Sequence, residues 1–340
     1  MRSRVKAVSI ALACSCSGIE ARVRQADQGS MPARTRSALA WQTCPSGAYR
    51  ERRIDVVTAA VRYLSPACAE NRHYFGPGFD YMTGVYEAEE VVMHDGRGAG
   101  LALDSAGVEL MDCPTAVADL GGFAAAVDSN NLWNGEELAN APYFREVCEL
   151  VRERTSADMV LGLNCIMRSS RNDPGAAQRV ARQAHVDFSY AEAGRLALAV
   201  LAMHGMTGHA FSRFLITSFW RTLTSPPHSV PLAICDASTV AEDDAVSDYM
   251  IFCERPPDRF GNAEELPAAG VCEATLFHAN RAHRWYWFPD LLPSEALLFK
   301  LCDSDRQSAW RAPHTAVQNP LVDASVIRES IECRTIAYFA

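Results

Sequence analysis

His185 and Asp187 stand two positions apart in residues 181–193, which read ARQAHVDFSYAEA. On a strand, residues i and i+2 lie on the same face, so both side chains could reach one metal ion. Imidazole and carboxylate groups are common ligands of transition metals. The alternative is a pair of polar side chains on a solvated strand edge. The pair by itself is therefore a weak signal, and a metal site needs further ligands.

The best candidate for a third ligand is His314, in the stretch WRAPHTAVQNP. Two histidines and one carboxylate on one side of an iron ion leave positions open for oxygen and a co-substrate. In a jelly roll, such a third ligand comes from a strand that is distant in sequence and adjacent in space. His283, in the aromatic stretch HRWYWFP, is a substitute ligand only if His314 is not one.

The C-terminal segment IRESIECRTIAYFA alternates as a strand does. One face carries Arg328, Ser330, Glu332 and Arg334, and Ile331, Cys333 and Thr335 take the other. An inward-pointing arginine is costly unless it meets an anion. A dicarboxylate such as 2-oxoglutarate supplies one through a bidentate guanidinium contact, to which the Ser330 hydroxyl can add a hydrogen bond. Arg334 remains a rival to Arg328 for this role.

A further anion contact is expected from the stretch FLITSFWRTL, in which Arg221 follows Trp220. If this pair lines the site, Arg221 could bind the same ligand. The alternative is an arginine stacked on an aromatic ring near a turn.

Short β-rich segments separated by Gly, Pro and Asp residues extend from residue 54 to the C-terminus. Helical spacing of apolar residues predicts one helix that includes Leu138, Phe144 and Val151, and residues 191–214 predict another. The fold class is therefore expected to be α+β and mainly β, as a barrel or jelly roll with flanking helices.

The composition excludes several classes of partner. The chain has 340 residues, is 49% hydrophobic and carries a net charge of −9, without the clustered basic residues that nucleic acid or an anionic membrane surface requires. No stretch approaches the roughly 18 apolar residues of a membrane span. The twelve cysteines form no Cys-x-x-Cys pair, so we expect reduced, mostly buried cysteines in a cytoplasmic protein.

Two regions are expected along the chain. Residues 1–53 combine a basic start with a short apolar stretch, which is similar to a secretory signal, but a disordered leader or an over-long start is favoured. Residues 54–340 show no linker and are expected to form a single domain. A homo-oligomer is compatible with the sequence, but no feature of the sequence indicates one.

The order His-x-Asp, distal His and Arg-x-Ser resembles that of Fe(II)/2-oxoglutarate-dependent oxygenases. More specifically, residues 54–340 resemble the hydroxylase/desaturase family typified by AsaB, CmcJ and NvfI, whose members act in natural-product biosynthesis. The matching stretches include VVMHDGRG, LDSAGVELMDCPTAVAD, AHVDFS, FWRTL, HRWYWFPDLLPSEALLFKLCDSD, APHTAV and RESIECR. Two positions depart from the family: Phe188 stands where a polar residue is common, and Thr222 where proline usually follows Trp-Arg.

The resemblance implies a double-stranded β-helix in which His185, Asp187 and His314 bind Fe(II). It also implies that Arg328 and Ser330 hold the far carboxylate of 2-oxoglutarate, with O2 as the second co-substrate. The expected reaction is hydroxylation or desaturation of a small-molecule intermediate. Two other functions stay open, a zinc-dependent hydrolase on the same three ligands and a non-catalytic accessory subunit. The first would leave Arg328 and Ser330 without a role.

Overall fold

The computed structural model describes residues 57–130, 140–171, 178–261, 266–267 and 270–340. The expected leader at residues 1–53 lies outside these ranges, as does Leu138 of the expected helix.

Sixteen strands and four α-helices occupy the described ranges. The strands are β1 Val57–Leu64, β2 Asn71–Gly76, β3 Phe79–Met82, β4 Tyr86–Asp95, β5 Val108–Asp112, β6 Met159–Ser169, β7 Gln178–Arg179, β8 His185–Val186, β9 Arg213–Thr222, β10 Leu232–Cys235, β11 Ala245–Phe252, β12 Val271–Phe277, β13 Trp285–Trp287, β14 Glu295–Asp303, β15 His314–Ala316 and β16 Glu329–Phe339. The helices are α1 Leu103–Ala106, α2 Leu120–Asn130, α3 Pro142–Thr155 and α4 Tyr190–Met203.

The strands form two sheets that share one core. The larger sheet has ten strands in the order β1-β4-β13-β10-β15-β8-β12-β11-β2-β3, and the smaller has six in the order β5-β14-β9-β16-β6-β7. Apolar side chains of both sheets, such as Val186 and Ile234 from one and Phe299 and Ile336 from the other, meet in a single buried cluster. Burial of this cluster is the main force that holds the sheets together.

The burial pattern shows which strands are covered on both faces. Strand β1 alternates, with Val57, Ala59 and Val61 buried and the residues between them exposed, because only one of its faces meets the core. Strands β9, β14 and β16 are buried almost throughout. They lie between the larger sheet and a second apolar cluster, to which helices α2 and α3 contribute.

Helix α4 begins three residues after Asp187. Ser189 caps its N-terminus, because its hydroxyl accepts a hydrogen bond from the Glu192 backbone N–H. The helix packs Leu196 and Val200 into the inter-sheet core, and the Tyr338 hydroxyl donates to the Ala197 carbonyl at 2.8 Å. These contacts fix the chain immediately after the histidine–aspartate pair.

The expectation of a mainly β chain with few helices is confirmed. The helix expected over residues 191–214 is wrong at its C-terminal end, because α4 stops at Met203. Gly205 at φ 71 and Gly208 at φ 87 adopt left-handed backbone conformations that end the helix before β9 begins.

In the described ranges, nine cysteines are free and five of them are buried. None of the helices there has both the length and the apolar run needed to span a bilayer.

Candidate active site

Strands β8 and β15 are neighbours in the larger sheet, and their pairing places His185 directly opposite His314. The two imidazole ring centroids lie 4.4 Å apart. Asp187 follows β8, and its Oδ1 lies 3.5 Å from His185 Nε2. One ligand atom from each of the three residues lies within 4.8 Å of the others. Residues that are far apart in the sequence thus form a group that can hold one metal ion.

Backbone carbonyls orient both imidazole rings. His185 Nδ1 lies 2.8 Å from the Gln183 carbonyl oxygen, and His314 Nδ1 lies 3.2 Å from the Ala312 carbonyl oxygen. A carbonyl only accepts, so these contacts assign the proton of each neutral ring to Nδ1. The Nε2 lone pairs are then free for a metal, in the usual arrangement of metal-binding histidines.

The ionisation of the group also suits a divalent cation. Burial, together with the charge of His185, lowers the pKa of His314 to about 4, so this imidazole is neutral at neutral pH. Burial raises the pKa of Asp187, but the Arg334 charge and the two histidines outweigh burial and hold that pKa well below its ordinary value. The site therefore presents a neutral His314 imidazole and an ionised Asp187 carboxylate beside His185.

A cavity that is partly open to solvent adjoins the two histidines. It is lined by Arg168, Ala181, His185, Trp220, Leu232, Phe299, His314, Thr315, Ala316, Arg328 and Glu332. The wall thus combines aromatic and aliphatic side chains with a few charged groups, as ligand pockets do.

Arg328 is only 1% exposed and belongs to this wall. Its Nε donates to the Val230 carbonyl at 2.8 Å, and its Nη1 donates to Ser330 Oγ at 2.6 Å. Within the described ranges, no carboxylate lies at ion-pairing distance from it. Burial, with repulsion from Arg168 and Arg182, lowers the pKa of Arg328 to about 9. A buried charge without a counter-ion is costly, so the cavity favours an anionic ligand.

Arg334, the rival for this role, has other partners. Its Nε lies 3.0 Å from Asp187 Oδ2 and donates a hydrogen bond to Glu332 Oε1 at 3.0 Å. It therefore stands behind the Asp187 carboxylate and is not part of the cavity wall.

The structure separates Arg221 from this group, which corrects its interpretation as a cofactor contact. Trp220 lines the cavity, but the next residue of β9 points to the opposite face. There Arg221 donates to the Tyr143 hydroxyl at 2.9 Å and to the Pro293 and Cys113 carbonyls at 2.6 and 2.7 Å. Its position indicates a structural role.

His283 is engaged elsewhere, with Asp244 Oδ2 at 3.0 Å and the Tyr63 hydroxyl at 3.0 Å. It therefore does not join the other two histidines.

The sequence pattern assigned no role in the site to Glu332 or to Arg168. Both line the cavity, and Arg168 Nε lies 3.7 Å from Glu332 Oε2. The alternation of β16 already placed Glu332 on the same face as Arg328, which was the available signal.

Comparisons with known proteins identify relatives of this chain. The hydroxylase/desaturase CTB9 of Cercospora beticola is 25% identical over 292 residues, which cover 81% of this chain and 84% of the relative. The Fe(II)/2-oxoglutarate-dependent dioxygenase nvfI of Aspergillus novofumigatus is 27% identical over 206 residues, 58% of this chain and 66% of the relative. The resemblance seen in the sequence is thereby confirmed.

A solved structure shows the same fold. It is the iron and alpha-ketoglutarate-dependent endoperoxidase NvfI, which superposes with a TM-score of 0.66 at 22% identity, over 84% of this chain and 98% of that one. A family model described as "Oxidoreductase/YMDC permease-like domain" matches residues 61–338, which is most of the chain. The chain therefore belongs to this oxidoreductase family and is related to the hydroxylase/desaturase and 2-oxoglutarate-dependent dioxygenase enzymes.

Proposed function

We propose that the protein is an Fe(II)/2-oxoglutarate-dependent oxygenase. The observation that carries the proposal is Arg328, a fully buried guanidinium with no carboxylate partner among the described residues, in a cavity that also contains His185 and His314. A metal site alone fits many reactions. A metal site that shares its cavity with an uncompensated cation fits a co-substrate with one end on the metal and a carboxylate at the other.

In this proposal, His185 and His314 would hold Fe(II) through Nε2, and Asp187 would hold it through a carboxylate oxygen. The donor set of two imidazoles and one carboxylate fits Fe(II), since it leaves coordination positions open. Bound Fe(II), with 2-oxoglutarate and O2, supplies the oxidising chemistry that removes hydrogen from an unactivated carbon and releases succinate and CO2. The backbone contacts at Gln183 and Ala312 keep both rings oriented throughout.

Arg328 would bind the far carboxylate of 2-oxoglutarate, and the Ser330 hydroxyl, which accepts from Arg328 Nη1, keeps its own proton free to donate to the same carboxylate. The Trp220 ring lies 5.3 Å from Arg328 Cζ and covers the guanidinium. Together with Phe299 and Leu232 it forms an apolar part of the wall, and the low polarity of that wall strengthens the charge interaction inside the cavity.

The substrate is proposed to be a small-molecule intermediate of natural-product biosynthesis. The proposed reaction on that substrate is hydroxylation or desaturation. The names of the relatives support this, since CTB9 is a hydroxylase/desaturase. The common core of the two sheets and the likeness to NvfI support a double-stranded β-helix, with residues 54–340 acting as one catalytic unit.

Succinate formation tests the proposal. Purified protein receives Fe(II), ascorbate and 2-oxoglutarate, with and without candidate substrates, beside a His185→Ala control. We expect succinate that depends on Fe(II) and on His185, and more of it when a substrate is present. Protein purified with tightly bound zinc that hydrolyses esters or amides and forms no succinate would contradict the proposal.

A further inference from the structure

The two oxygens of Asp187 have different neighbours. Oδ1 lies 3.5 Å from His185 Nε2, on the side of the metal-binding group. Oδ2 lies 3.0 Å from Arg334 Nε, on the side of strand β16. Asp187 is 9% exposed and Arg334 is 6% exposed, so water cannot easily replace either contact.

Arg334 is itself held on two sides. Its Nε–H points at Glu332 Oε1, 3.0 Å away, and the same oxygen accepts a hydrogen bond from Ser218 Oγ at 3.0 Å. The Phe188 ring lies 5.8 Å from Arg334 Cζ, within the range of a cation–π contact. A guanidinium between a fixed carboxylate and an aromatic face has little freedom to rotate. Arg334 is thus anchored from β16, and its contact with Asp187 Oδ2 is an ion pair in which the buried Oδ2 accepts no hydrogen bond.

We propose that Arg334 is a positioning residue, which holds Asp187 Oδ2 away from the metal so that the carboxylate binds through Oδ1 alone. Glu332 and Phe188 complete the cradle that orients Arg334. The inference rests on the proposed function only in that a metal ion must bind at this group. It is independent of which co-substrate follows.

A one-oxygen carboxylate has a chemical consequence. A carboxylate that bound through both oxygens would occupy one more coordination position, and the open positions are those at which co-substrates bind. The guanidinium also neutralises the second oxygen, which would otherwise remain a buried, uncompensated partial charge. Arg334 thus controls the number of open positions without touching the metal or the substrate.

Co(II) binding tests the role directly, because Co(II) reports its ligand field by visible absorption and needs no turnover. Purified full-length protein is titrated with Co(II) under anaerobic conditions, as wild type and as Arg334→Met, Arg334→Lys and Arg213→Met. Arg213 is the matched control, since it pairs with Asp303 where β9 begins and β14 ends, outside the candidate site. Thermal unfolding of each metal-free variant establishes that it is folded.

We expect Arg334→Met to bind Co(II) about 10- to 100-fold more weakly than wild type, as for other partners of metal ligands, with a changed absorption spectrum because Oδ2 becomes free to coordinate. Arg334→Lys retains a positive charge, so its Co(II) affinity is expected to lie between that of wild type and that of Arg334→Met. Arg213→Met is expected to match wild type in both readouts. A merely structural ion pair would change stability and leave the spectrum unaltered.

Folded Arg334→Met with wild-type Co(II) affinity and an unchanged spectrum would overturn the proposal. Should Arg334→Met not fold, Arg334→Lys decides, and wild-type affinity and spectrum in that variant would overturn it equally. A wild-type protein that binds no Co(II) would refute the metal site, and with it both this inference and the proposed function. Metal binding that responds to Arg334, with no succinate formed, would refute the proposed function alone.

Discussion

Replacement of Arg328 by methionine isolates the proposed contact with the far carboxylate of 2-oxoglutarate. Methionine is unbranched and flexible, so it can fill much of the space of the arginine stem while it removes the charge and the hydrogen-bond donors. We expect a large loss of 2-oxoglutarate affinity together with little change in the stability of the ligand-free protein. This combination is unusual for the removal of a fully buried, hydrogen-bonded side chain.

The expected magnitudes follow from the environment of Arg328. Its pKa falls from 12.5 to about 9, which at 1.36 kcal/mol per pKa unit is about 5 kcal/mol of destabilisation of the charged group in the ligand-free fold. Arg328→Met removes this cost and loses the hydrogen bonds to Val230 and Ser330, at about 1.5–3 kcal/mol each. Relief of the cost of the buried charge and loss of the two hydrogen bonds therefore nearly cancel in the free energy of unfolding. Loss of a buried, bidentate contact to a ligand carboxylate costs about 3 kcal/mol, or roughly 100-fold in affinity.

Isothermal titration of the Co(II)-loaded protein with 2-oxoglutarate measures the affinity, and urea unfolding of the metal-free protein measures the stability. Arg221→Met is the matched control, since Arg221 is equally buried but its donors bind Tyr143 and backbone carbonyls on the other face of β9. That variant is expected to lose stability and to keep wild-type affinity in the folded fraction. A second probe is 2-oxobutyrate, which lacks the far carboxylate. It should bind wild type and Arg328→Met equally.

Wild-type affinity of Arg328→Met for 2-oxoglutarate would refute the reasoning, as would a fall in 2-oxobutyrate affinity as large as that for 2-oxoglutarate. In either case the guanidinium would not be the partner of the far carboxylate.

Three further predictions concern pH, packing and metal binding. The His314 imidazole has a pKa of 6.5 in the unfolded chain and about 4 in the folded chain, so the free energy of unfolding falls by about 3 kcal/mol as pH drops from 6.5 to 4. Urea unfolding of metal-free His314→Gln should therefore show a flatter pH dependence than wild type. An unchanged pH dependence in this variant would contradict the lowered pKa. In Gly162→Ala, the new Cβ would lie 1.9 Å from Phe144 Cε1, so chemical denaturation should show a free energy of unfolding about 1–3 kcal/mol lower than that of wild type. Co(II) binding should be retained, because α3 packs on the sheet face away from the site. Wild-type stability of this variant would contradict the packing of Phe144 on Gly162. Co(II) at 100 times its Kd should raise the free energy of unfolding of wild type by about 2.7 kcal/mol, and a chelator should reverse the increase. His185→Ala should show no such increase, and equal stabilisation of that variant would place the metal elsewhere.

Some of the candidate site residues could be predicted from the sequence because only the two-residue period of a strand was needed to place them on one face. The spacing of His185 and Asp187 and the alternation along β16 required only the period of a strand. The distance between His185 and His314 could not be predicted from spacing, because the pairing of β8 with β15 depends on the order of strands in the sheet. The likeness of the whole chain to a family supplied that information instead.

The wrong expectations have tertiary causes. Trp220 and Arg221 were assigned to the site together, but neighbouring residues on a strand face opposite ways, and Arg221 finds its partner in Tyr143 of α3. Arg328 and Arg334 share a face but stand roughly 20 Å apart along β16, at about 3.3 Å per residue. Strand alternation could not tell which of them meets the cavity and which meets Asp187. The roles of His185, Asp187, His314, Arg328 and Ser330 in catalysis remain predictions.

The most direct test of the central claim is an anaerobic titration of the Fe(II)-loaded protein with 2-oxoglutarate, followed by visible absorption. A 2-oxo acid that chelates Fe(II) gives a charge-transfer band in the visible region. We predict a band that saturates at one equivalent of 2-oxoglutarate, is absent from His185→Ala, and requires roughly 100-fold more 2-oxoglutarate in Arg328→Met. Wild-type protein that retains one Fe(II) and develops no such band would contradict the claim that this metal centre and the Arg328 cavity bind one co-substrate together.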